Sequence, residues 1–158
     1  MPTSSPTKTL SLGKLRGLQQ IASSHGFFTM TAMDHRASMQ RMIHPQNPEF
    51  VSAETLTAYK RDLTATLAPV SSAVLLDPIY GAAQVVSSAD LPRDVGLLVG
   101  VEATGYTDEG GARLTEFLEG WSVEKIKRMG ASAAKILIYY HPDLNDISER
   151  QRAVTSRF

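Results

Sequence analysis

Four short apolar runs set most of what this chain can become: FFTMTAMD (27–34), AVLLD (73–77), GLLVGVEA (96–103) and AAKILIYY (133–140). Each is short, rich in leucine, β-branched or aromatic side chains, and bounded by Gly, Pro or Asp, the composition of a strand. Between them lie segments with apolar residues at helical spacing. Strands alternating with helices in this way argue for an α/β protein with a parallel sheet and right-handed crossovers. The last run reads as a buried strand of a sheet covered on both faces.

The helical segments carry their own start and stop signals. Leu12, Leu15, Leu18 and Ile21 predict a helix over 10–24, with Gly26 at its stop. Ser52 suits an N-cap and Glu54 the first turn of a helix running to Leu67, with Leu56, Tyr59, Leu63 and Leu67 on one stripe. A short helix is expected over 82–87. Another follows Ser122 through Met129, with Gly130 beyond it. A last helix is expected to start near Ser148 and to be still running at Phe158. Residues 1–9 read as a flexible terminus, residues 37–48 as a turn leading into a loop, and residues 107–120 as a long loop.

Composition narrows the function classes. The 158 residues suit one domain or part of a larger one, and 16 basic against 16 acidic side chains give no electrostatic reason to expect nucleic acid or an anionic membrane. There is no cysteine, which excludes disulfides, thiolate chemistry and cysteine-ligated zinc. No apolar run approaches the roughly 18 residues of a membrane span. No apolar stretch follows a basic head at the N-terminus, so a cytoplasmic protein without a secretory signal is expected.

The ionisable residues fall in a pattern. Asp34, Asp77 and Glu102 each stand at or near the end of a strand run, and Lys135 lies inside the fourth. In parallel α/β proteins the strand C-termini share one side, and sites form there. Each carboxylate alone has an ordinary explanation as a cap or turn former, as with Asp77 before Pro78. Lys135 alone could snorkel to solvent. Together they suggest a site with Asp34, Asp77, Glu102 and Lys135 on one rim and a carboxylate bonded to Lys135, because a buried ammonium is otherwise too costly. His35, Arg36, Tyr80, Tyr106 and His141 lie on the adjoining loops. Lys60, Lys125 and Lys127 lie on helices and read as solvated. No Gly-rich phosphate loop and no His-Glu-x-x-His spacing is present, which leaves acid–base and carbonyl chemistry.

Five segments in order carry a family resemblance: Asp34-His35-Arg36, LLDPIYG (75–81), EATGY (102–106), WSVEKIKRMGA (121–131) and KILIYYHPD (135–143). From about Leu12 onward the chain resembles the tagatose 1,6-bisphosphate aldolases, class I enzymes that work through a Schiff base on a (β/α)8 barrel. The resemblance implies the first four strands of a TIM barrel over residues 10–158. A whole barrel takes about 250 residues. It implies Asp34, Glu102 and Lys135 as catalytic groups, Lys135 matching the lysine that does not form the imine. His35, Arg36, Asp77 and Tyr106 are then substrate-binding candidates. His35 stands where the family commonly has glutamine. The family's imine lysine, on its sixth strand, and its phosphate loops have no counterpart here. The implied substrate is a ketose bisphosphate, cleaved to dihydroxyacetone phosphate and glyceraldehyde 3-phosphate, with no cofactor or metal; a homo-oligomer is compatible. These 158 residues alone are expected to be inactive. The alternatives are a non-catalytic half-barrel that binds a sugar phosphate or partner chain, and an aldolase for a sulfonated sugar phosphate.

Overall fold

A computed structural model describes residues 9–103, 108–109, 112–140 and 142–157. Four parallel strands, β1 (Met30–Met33), β2 (Ala73–Leu76), β3 (Gly96–Gly100) and β6 (Ala133–Lys135), form one sheet in sequential order. Among the described residues no strand is inserted out of sequence, which separates this sheet from a doubly wound one. Two further short strands, β4 (Asp108–Glu109) and β5 (Ala112–Arg113), pair antiparallel inside the segment expected to be a loop.

The helices are α1 (Leu12–Ile21), α2 (Ala37–Ile43), α3 (Ala53–Leu67), α4 (Ala82–Ser87), α5 (Val123–Arg128) and α6 (Asn145–Thr155). Ser11, Ser52 and Ser122 cap α1, α3 and α5, each hydroxyl accepting a backbone N–H three residues on. Gly130, at φ +95°, ends the α5 turn in a conformation that favours glycine.

The side-chain alternation of the strands sorts the sheet into two faces. Met33, Val74, Leu76, Leu97 and Val99 point toward α4 and α5 and form the main core with Ala82, Val85 and Ile126. The opposite face carries the register row Ala32, Leu75, Leu98 and Ala133, none of them buried. At the N-terminal ends of the strands, α1 packs closely on β3 and β6. A Cβ on Gly17 would sit 2.6 Å from the Ser132 carbonyl oxygen, and one on Gly96 only 2.5 Å from that of Gln20.

Several expectations need correction. The fourth strand is three residues long and half-buried, and Leu137 and Ile138 are 40% and 51% exposed. It is an edge, as four strands in sequential order imply: β3 pairs with it on one side, and among the described residues nothing pairs on the other. Residues 37–43 form a helix, whose Met39 and Ile43, one turn apart, pack with Val51, Leu56 and Tyr80 in a second small core. The first helix ends at Ile21, so Gly26 (φ +80°) serves the following turn instead. The last helix begins at Asn145, with Asp146 in its first turn, and ends at Thr155; Phe158 lies outside the described residues, as do residues 1–8. The buried stripe of α3 is Leu56, Lys60 and Thr64, and Tyr59 faces solvent.

Candidate active site

Lys135 ends β6 level with Gly100 on β3. Its ammonium donates to Asp34 Oδ2 at 2.9 Å and, more closely, to Glu102 Oε1. Asp34 follows the last residue of β1, and Glu102 lies two residues beyond β3, so three strand ends supply the three groups. Gly100 lies beneath them: a Cβ there would sit 3.5 Å from Asp34 Oδ2 and 3.6 Å from Glu102 Oε1.

Glu102 is held from two sides. Phe117 forms an antiparallel bridge opposite it, with Ala103 N–H donating to the Glu116 carbonyl at 2.7 Å and Leu118 N–H to that of Val101 at 2.9 Å. Arg36 donates through Nη2 to the Glu102 carbonyl oxygen at 2.7 Å. The returning segment is anchored in turn: Thr115 donates its N–H to buried Gln151 Oε1 at 2.9 Å and its hydroxyl to the Leu137 carbonyl.

The side chain of Lys135 is 27% exposed. Burial pushes its amine toward the neutral form, but the hydrogen bonds it donates to Glu102 and Asp34 outweigh that and hold its pKa above the ordinary lysine value. At neutral pH the group is an ammonium, able to donate a proton or stabilise negative charge and poorly suited to attack a carbonyl. Glu102 Oε2 and Arg36 Nε are buried without a hydrogen-bond partner among the described residues, leaving one acceptor and one donor beside the cluster.

The remaining expected residues divide. His35 is half-exposed, with Nδ1 3.9 Å from Asp34 Oδ1, beyond a hydrogen bond. Asp77 is not brought to Lys135. It is 2% exposed, its Oδ1 accepts the N–H groups of Ile79 at 2.9 Å and Tyr80 at 2.8 Å, and its Oδ2 lies 2.9 Å from Lys60 Nζ. Tyr80 packs in the second core beside α3. Tyr106 and His141 lie outside the described residues. Among the described residues, no group of three His, Asp or Glu side chains could hold a metal ion, and no helix is long and apolar enough to cross a membrane.

Lys60 overturns its expected solvation. It is fully buried and donates to the carbonyls of Met33 and, at 2.7 Å, His35, besides pairing with Asp77. The signal in the sequence was its place one turn after Leu56, on the face that α3 buries. Spacing by apolar residues alone selected Tyr59 instead.

The family model for DeoC/LacD family aldolases matches residues 28–157. The chain belongs to this aldolase family. It is 34% identical over 151 residues to tagatose 1,6-diphosphate aldolase 1 of Enterococcus faecalis, covering 95% of this chain and 45% of that protein. It is 32% identical over 145 residues to tagatose 1,6-diphosphate aldolase of Streptococcus agalactiae, covering 91% and 44%. With tagatose 1,6-diphosphate aldolase 2 of Streptococcus pyogenes it shares 33% over 152 residues, 96% and 45%. The chain thus spans less than half the length of these relatives.

Proposed function

We propose that these residues are the proton-handling part of a class I aldolase acting on a ketose bisphosphate such as tagatose 1,6-bisphosphate, with the imine-forming lysine supplied from outside the 158 residues. The observation that carries this reading is the Lys135 ammonium held between Asp34 and Glu102 at the C-terminal ends of parallel strands. In a retro-aldol cleavage the hydroxyl proton of the substrate leaves as the adjacent carbon–carbon bond breaks, and the bonding electrons move into the imine of the neighbouring carbon. Asp34 or Glu102 accepts that proton, and Lys135 stabilises the charge that develops on the oxygen. The products are dihydroxyacetone phosphate and glyceraldehyde 3-phosphate.

Two measurements on the chain test this. Borohydride reduction with dihydroxyacetone phosphate, read by intact mass, should give no adduct; a stoichiometric adduct on Lys135 would make it the nucleophile and overturn the assignment. Addition of the ketose bisphosphate should shift the NMR signals of the Lys135 side chain, and unmoved signals at saturating ligand would remove the substrate site from this cluster.

A second reading, a non-catalytic half-barrel, draws on the open edge at β6 with its exposed Leu137 and Ile138. An unpaired strand edge with apolar residues beyond it is a template for another chain. That reading retains the fold but assigns no turnover to the Asp34–Glu102–Lys135 cluster.

A further inference from the structure

The β1–β2 ladder ends at the register pair Met33–Leu76. The next residue on each strand is an aspartate, Asp34 and Asp77. Had the ladder continued, two carboxylates would stand side by side on neighbouring strands, an arrangement that like charges disfavour. Both would then compete with Glu102 for the one ammonium of Lys135.

Lys60 is placed where that competition is decided. An ammonium has three donors and no acceptor. Here the ammonium donates to the carbonyl before Asp34 (Met33) and the carbonyl after it (His35), and it forms an ion pair with the carboxylate of Asp77. Carbonyls two residues apart in an extended segment lie on one side, so fixing both fixes the rotation of the strand end and with it the direction of the side chain between them. Asp34 is turned to Lys135 at 2.9 Å, and Asp77 is retained at 2.9 Å from Lys60.

We propose that Lys60 is a positioning residue for the Asp34–Glu102–Lys135 cluster: it aims Asp34 at Lys135 and withholds Asp77 from it. The inference rests on the proposed aldolase reading for its meaning in catalysis, but its test needs no turnover. Failure of one is therefore distinguishable from failure of the other.

The test follows the Lys135 side chain by NMR against pH, its signal assigned by its loss in Lys135→Arg. The groups facing Lys135 are Asp34 and Glu102, with His35 and Arg36 beside them. Asp77→Asn, which keeps Lys60, is compared with Lys60→Met/Asp77→Asn, which removes it at the same state of residue 77. Removing a nearby cation by itself favours the Lys135 ammonium and moves the titration midpoint up. Losing Asp34 from Lys135 moves it down. The proposal expects a fall of at least threefold in the protonation constant, matching the fall in Asp34→Asn.

A rise, or no change accompanied only by a lower melting temperature, would overturn it. If Lys60→Met/Asp77→Asn does not fold, Lys60→Gln/Asp77→Asn is read instead, since its facing amides can hydrogen-bond. A smaller fall there supports positioning, and an unchanged or raised midpoint refutes it.

Discussion

Replacing Lys60 with methionine should be among the most damaging single changes available in this chain. Methionine keeps the apolar stem and much of the volume, so the loss is polar. Asp77 would retain its two backbone donors at Oδ1 while Oδ2 faced no cation in a site that is 2% exposed. Breaking a buried ion pair from one side costs about 3–5 kcal/mol. The Met33 carbonyl would lose its Lys60 donor as well, which costs about 1–3 kcal/mol for a buried group. The His35 carbonyl would lose its Lys60 donor too. Since neighbouring terms do not add fully, a net loss of about 4–6 kcal/mol is expected, against about 5–15 kcal/mol for a whole domain. Asp77→Asn introduced into Lys60→Met removes the bare charge and keeps the two N–H bonds. It should recover about 2 kcal/mol. Urea unfolding followed by circular dichroism measures both values. A loss below about 1.5 kcal/mol for Lys60→Met, or no recovery in the double variant, would refute the reading of this pair as a buried, mutually dependent unit.

Three further outcomes are expected. Gly17 lies inside a helix, where alanine ordinarily stabilises by about 1 kcal/mol; because its Cβ would meet the Ser132 carbonyl oxygen at 2.6 Å, Gly17→Ala should instead lower the melting temperature. Lys135 has a folded pKa raised above its ordinary 10.5, so its contribution to stability is complete below that pH and is lost as pH rises through the higher folded value. Urea midpoints should fall more steeply above this pH in the wild type than in Lys135→Met, and parallel curves would remove the carboxylate contacts from the stability of the fold. Gln151→Leu strands the Thr115 N–H and should cost about 1–3 kcal/mol, visible as faster amide exchange across the segment that returns beside Glu102.

Much of this protein was legible in its sequence because the deciding forces were local. The apolar runs at 27–34, 73–77 and 96–103 and the helical spacing between them are short-range patterns, and they produced parallel strands in the expected order. Ser52 and Ser122 cap their helices with hydroxyls that reach N–H groups three residues away, so no distant contact was needed to place them. Lys135 could be read as needing a carboxylate from the cost of burying an ammonium, whichever carboxylate supplied it.

Tertiary structure decided what those local rules leave degenerate. Asp34 and Asp77 have the same kind of position at successive strand ends. Which of them meets Lys135 depends on Lys60, a residue that helical spacing alone assigned to solvent. The α3 helix buries Lys60 rather than Tyr59 because the two carbonyls flanking Asp34 and the Asp77 carboxylate converge at the ends of β1 and β2, and only the assembled sheet brings them together. The same holds for Leu137 and Ile138. Their composition is that of a covered strand, yet burial is supplied by neighbours, and on the outer side of β6 no described residue provides one.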